Sequence, residues 1–203
     1  NEKNQEFDGL KKQYEEMKAD STIKFHEGLE GQYKKVSLAF SELINSKVIW
    51  DITTGTVNTA LKSSAGKTVE RKQVKFKWDI IDFIKSEHSA FHLQNANGSS
   101  LFIYPGFVLL RGWQNGFTLI DLKELNFNFH IQSFQESKET IPSDSKIADY
   151  TWYKVNKNGS RDMRFVGNFQ IPIVNYGAFN FTSPNGLNET YYLSNVDIAE
   201  NFG

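Results

Sequence analysis

Four Asn-Gly dipeptides, Asn97-Gly98, Asn115-Gly116, Asn158-Gly159 and Asn185-Gly186, punctuate this chain of 203 residues. Asn and Gly tolerate positive φ, which a two-residue hairpin turn demands at both central positions. Between short apolar runs such a pair predicts two antiparallel strands. "FVLLRGWQNGFTLIDL" has this form, so 107–112 and 117–121 are expected to pair. In "LNFNFHI", Leu125, Phe127, Phe129 and Ile131 alternate with Asn126, Asn128 and His130. That period of two places the apolar row on a core and the polar row in water. "YTWYKV", "FQIPIVNYG", "AFNFTS" and "TYYLSN" read as further strands. Pro172 belongs at an edge or a bulge, because it has no N–H for a ladder.

The leading residues follow a different period. Phe7, Leu10, Tyr14 and Met17 recur at spacings of three and four, and Leu29, Tyr33, Val36, Phe40 and Leu43 do the same. The spacing predicts two amphipathic helices, about 4–19 and 27–46, which pack on the β domain or form a coiled-coil contact. From Val48 onward β patterning takes over. In "VERKQVKFKW", Val74, Phe76 and Trp78 alternate with Lys75 and Lys77, a half-buried strand with a basic outer face. "DIIDFIKSEH" reads as one short helix. The expected fold is mainly β (α+β). A helical segment over 1–46 precedes an antiparallel β-sandwich or partly open barrel over 47–203. The polar stretch 135–149 is a long loop or a sub-domain boundary.

With 39% hydrophobic residues, including 17 Phe, the chain has enough aromatic area to build a core. No apolar run approaches the roughly 20 residues of a membrane helix, so no membrane association is expected. Zero cysteines exclude disulfides, thiolate catalysis and cysteine-ligated metals. The chain starts at Asn1 rather than Met, which reads as a fragment of a longer protein or a processed product; a cytoplasmic location is expected. The Lys-, Asn-, Ile- and Phe-rich composition fits a component of a bacterial assembly.

Catalytic signals are weak. His88 and His92 have the spacing of a helical metal pair, but "AFHLQN" reads as strand, where residues four apart stand about 13 Å apart. Asp79 reads as a cap rather than as half of an acid–base pair with Asp82. "SSAGKTVE" lacks the first glycine of a phosphate loop, since position 61 is Leu. Neither catalytic residues nor a metal nor a cofactor are expected.

Binding signals are local, because the net charge is only -1. Arg71, Lys75 and Lys77 share one strand face and make a positive stripe within 62–77. Lys154, Lys157, Arg161 and Arg164 surround an Asn-Gly turn beside Trp152 and Tyr153. Basic residues interleaved with aromatics suit nucleic acid or another polyanion. Arg111 and Trp113, at the shoulder of the 107–121 hairpin, are a further candidate contact. The reading that emerges is a non-catalytic binding or scaffolding domain with a protein partner, or self-association through the N-terminal helices. The second reading is polyanion binding through the basic stretches 62–77 and 154–164.

Overall fold

The computed structural model describes residues 19–20, 29–52, 70–112 and 116–203. The first expected helix, Trp113 and most of the basic residues before Glu70 lie outside them. One helix, α1 (Leu29–Leu43), leads into β2 (Ile49–Asp51). β3 (Lys72–Val74), β4 (Phe76–Asp79), β5 (Ile84–Lys85), β6 (Ala90–Gln94), β7 (Ser100–Tyr104), β8 (Phe107–Arg111) and β9 (Phe117–Asp121) follow. Then come β10 (Asn126–Gln135), β11 (Lys146–Trp152), β12 (Gln170–Thr182), β13 (Asn188–Leu193) and a last helix, α2 (Val196–Phe202). A two-residue strand β1 (Ala19–Asp20) pairs in parallel with β5.

The main strands form two antiparallel sheets rather than a closed barrel. One runs β10-β12-β13-β2-β3, with β11 also on β12; the other runs β4-β6-β7-β8-β9. Their inner faces meet in one aromatic core containing Phe76, Phe91, Val108, Ile120, Phe179, Phe181 and Tyr191. α1 joins that same core through Phe40 and Leu43, each only 1% exposed. Phe40 stacks on Phe91 and meets Trp78 edge-on, so the helical stripe is spent on the sheets. Val36 faces outward at 40% exposure.

The expected hairpin is present: β8 and β9 pair from Phe107↔Asp121 to Arg111↔Phe117. Its loop is longer than two residues, however, since the Gly112 N–H reaches the Gly116 carbonyl. The other Asn-Gly sites share one geometry that also differs from the two-residue turn. Gly98, Gly159 and Gly186 have positive φ. Each donates its N–H to the residue three back, and that residue's N–H donates to the carbonyl just after the glycine. This is a β-turn followed by a left-handed glycine bulge, the usual three-residue hairpin loop.

Two further expectations are corrected. "VERKQVKFKW" is two strands in two sheets: Val74 ends β3 and Phe76 begins β4. Both Val74 and Phe76 are buried around exposed Lys75, so the alternation runs unbroken through the crossing. "DIIDFIKSEH" is a turn and the short strand β5, not a helix. Asp79 caps the Ile80 N–H, and the Ile81 N–H goes to the Tyr104 hydroxyl rather than along a helix. The loop expected over 135–149 is shorter: 136–145 connects β10 to β11, Gln135 and 146–149 being strand, and both strands pair with β12. Pro172 lies beyond the end of the β10–β12 ladder and beside the register shift of β11.

A buried polar knot ties the sheets together. The Asn95 amide donates to Ser99 Oγ at 2.7 Å and to Glu189 Oε1 at 2.8 Å, while the Tyr191 hydroxyl donates to its carbonyl. Asp51 Oδ2 accepts the Ala96 N–H at 2.7 Å. Burial, then the Glu189 and Asp51 carboxylates, pushes the Tyr191 phenol well above its ordinary range. Tyr191→Phe would leave the Asn95 carbonyl buried without its donor. The expected loss is about 1–3 kcal/mol, measured by urea unfolding; a change below the error of the fit would show that the bond contributes nothing.

Candidate binding site

β11 and β12 are joined by a loop over 153–169 that stands out from the sheet. It exposes several apolar side chains: Tyr153 55%, Met163 75%, Phe165 46%, Val166 102% and Phe169 57%. Beside it opens a cleft of about 1040 Å³, walled by 135–139, 152–155, Asp162, Arg164, Phe165 and 169–172. A loop with this much exposed apolar surface gains nothing in water from presenting it.

The loop is held by a dense set of internal bonds. Asn168 donates from its amide to the Lys154 carbonyl at 2.7 Å and accepts the Lys154 N–H at 3.0 Å. Asp162, 3% exposed, takes the Arg164 guanidinium in a fork, from Nε at 2.9 Å and Nη2 at 2.6 Å. Arg164 first, through that fork, holds the Asp162 carboxyl below its ordinary value. Tyr153 and Phe169 stack at 5.1 Å. The Asn158-Gly159 turn closes the near end through Asn156 and Ser160. Such a brace fixes the apolar tip before anything binds, which reduces the ordering cost of docking.

Glu136 belongs to the cleft wall and to a second cluster, built around Arg71 and Tyr176. Arg71 Nη1 meets Glu136 Oε1 at 2.5 Å, and the Tyr176 hydroxyl donates to the same oxygen at 3.2 Å. The Arg71 guanidinium lies 5.0 Å from the Trp50 ring, 5.2 Å from Phe134 and 5.6 Å from Tyr176. Three rings and one carboxylate enclose it.

Several of the basic residues singled out from the sequence have partners within the domain, although most stay exposed. Arg71 is boxed, Lys77 pairs with Asp79 at 2.8 Å and Arg164 pairs with Asp162. Arg161 lies over Trp152 at 4.7 Å, and Lys154 over Tyr153 at 4.6 Å. Lys75 and Lys157 are exposed, with no ion pair recorded among the described residues. Arg71 and Glu136 show no sequence signal for one another, being 65 residues apart. Met163, Phe165 and Val166 are legible as apolar residues inside a basic, turn-bearing stretch, but nothing local marks them as exposed.

Arg111 sits over Phe102 at 5.3 Å on the outer face of the second sheet, and His92 stacks on the same ring at 4.2 Å. Asp79 Oδ2 lies 2.8 Å from His92 Nδ1. Burial, with Lys77 and Arg111 nearby, lowers the His92 pKa despite Asp79. A depressed folded value means stability that is present above the unfolded imidazole value, about 6.5, and lost as pH falls through the folded one. The His92 imidazole is therefore expected to titrate below 6.5 by NMR, and Asp79→Asn to move it lower still. A midpoint that rises in Asp79→Asn would refute this balance of causes.

Among the described residues no cluster of three or more His, Asp or Glu is arranged to hold a metal ion, and no helix is long and apolar enough to cross a membrane. Comparison with family models, curated proteins and solved structures returns no match.

Proposed function

We propose that this domain is a non-catalytic binding module that docks a protein partner on the 153–169 loop and the adjoining cleft. One observation carries the reading: a single loop exposes Met163, Phe165, Val166 and Phe169, with Phe165 and Phe169 on the cleft wall, and is held by the Asp162–Arg164 and Asn168–Lys154 bonds and the Tyr153–Phe169 stack. Exposed aromatic and Met side chains with a charged rim have the composition of interface centres. The rim cations Lys154, Lys157, Arg161 and Arg164 would set orientation and approach rate rather than affinity.

The test is a photo-crosslinking amino acid at Val166 in the full chain, produced in its source cells, with Ile80 as the control site. Ile80 is 61% exposed and directly follows β4 of the other sheet. A discrete heteromeric adduct at 166, absent at 80 and lost in Met163→Ser/Phe165→Ser, supports the module. Equal adducts at both sites, or none at 166, overturn it. The same preparation is titrated with short DNA and RNA at low and moderate salt. Binding that falls steeply with salt and with Lys154→Glu/Lys157→Glu would replace this reading with the polyanion one.

A further inference from the structure

The edges of the two sheets are guarded, with one exception. β3 is three residues long and begins at Lys72. β4 carries Lys77 and Asp79, paired with each other. β9 has five residues and ends at Asp121, whose side chain turns the chain into a 3-10 helix. β11 carries Lys146 and Asp149 and shifts register between Ile147 and Asp149. Short length, charge and bulges are the means by which proteins keep open edges from pairing.

β10 has none of them. It is ten residues, Asn-Phe-Asn-Phe-His-Ile-Gln-Ser-Phe-Gln, with no Asp, Glu, Lys, Arg, Pro or Gly. Its ladder to β12 runs without a break from Asn126↔Thr182 to Gln135↔Ile173. Among the described residues its outer side pairs with nothing. Gln132 covers one carbonyl, that of Ser133. Phe127 is 36% exposed and Ile131 48%, although both lie on the row that also carries core-packed Phe129.

We propose that β10 is a self-pairing edge: two copies of this chain join antiparallel through it, about a two-fold axis at Phe129. Antiparallel partners opposite one another lie on the same face, so a two-fold at residue 129 sets Phe127 against Ile131 of the second copy. It sets Asn128 against His130 and Asn126 against Gln132. Apolar meets apolar and amide meets polar group throughout, and the covered Ser133 carbonyl falls outside the overlap. A strand that pairs with itself brings each charge near its own copy, and like charges across a pair are destabilising. An uncharged strand is what self-pairing tolerates, whereas a foreign strand is selected by complementary charge. The two six-stranded sheets become one continuous sheet, and the contact is isologous. This surface is separate from the 153–169 loop and stands or falls independently of it.

The experiment is sedimentation velocity of the full chain over a wide concentration range, beside Ile131→Lys and His130→Lys. Circular dichroism and the thermal midpoint check that each variant is folded. The expected mass rises with concentration from 23.3 kDa toward twice that value for the parent, and stays at the monomer in both variants. A nitroxide on His130→Cys, the sole thiol in a chain with no native cysteine, is expected to give a single short interspin distance in the dimer. A monomer at all concentrations overturns the proposal and leaves the edge to some other strand. So does a dimer that survives both lysines and shows no short distance at 130, which would place the contact elsewhere.

Discussion

Glu136→Leu is expected to lower the unfolding free energy by about 3 kcal/mol, the lower end of the cost of breaking a buried ion pair. Glu136 is 6% exposed and its partner Arg71 is 23% exposed. Without the carboxylate, the Arg71 guanidinium is left between Trp50, Phe134 and Tyr176 with its cation–π contacts alone. Its residual exposure gives it a route to water, which holds the cost to the low end. Arg71→Leu is the reciprocal case, since it strands the Glu136 carboxylate beside the Tyr176 hydroxyl. The double variant is expected to lose less than the sum of the two, because neither charge remains to be desolvated. Additive losses would show that the pair is not coupled.

The same cluster contributes to the alkaline limb. Burial, then the Glu136 carboxylate, pushes the Tyr176 phenol up to about 12. A folded value above the unfolded one, about 10, gives stability that is complete below pH 10. That stability is lost as pH rises through 12. Ultraviolet titration is expected to find a late phenolate step that Glu136→Leu brings earlier. An unchanged step would remove Glu136 from the cause.

How far the sequence carried differs by element. The 107–121 hairpin and the alternation of β10 were legible because both rest on neighbours within a few residues. The expected row Leu125, Phe127, Phe129 and Ile131 shares one side of β10. It is covered only in part, because strand order places β10 at an edge. No local pattern encodes strand order. The split of 71–79 at Lys75 was hidden for a related reason: a strand crossing between two sheets around one core keeps its period. β12 reads as strand in two pieces, "FQIPIVNYG" and "AFNFTS", and is one strand; its facing resisted reading for the opposite reason. Val174, Tyr176 and Ala178 pack on one face and Phe179 and Phe181 on the other, so neither face reads as polar. The braced loop was half legible. Asn158-Gly159 announced the turn, while the Asn168–Lys154 and Asp162–Arg164 bonds, which stiffen the apolar tip, depend on a fold-back that composition does not show.

Gly177→Ala is expected to cost about 1–3 kcal/mol, the range for forcing extra atoms into a packed site. Gly177 lies in β12 opposite Leu193, under the C-terminal helix α2. A Cβ there would overlap the Ala199 Cβ and touch the Phe129 ring. Neither β12 nor α2 is free to yield alone. β12 has β10 on one side and β13 on the other, and α2 is fastened at its start by Asn195, whose side chain accepts the Ile198 N–H. The strain therefore falls on the helix, and Phe202 moves with it. That ring lies 5.4 Å from Phe179, 5.9 Å from Phe127 and 6.2 Å from Phe40. Lifting it would loosen α1 and the outer strand β10 together. Ala199→Gly in the Gly177→Ala background removes the overlapping atom from the other side, at a helix-propensity cost of about 1 kcal/mol. If the close approach is the cause, urea unfolding will show the double variant more stable than Gly177→Ala alone. If the two losses simply add, α2 is not seated on Gly177, and the helix owes its position to Phe202.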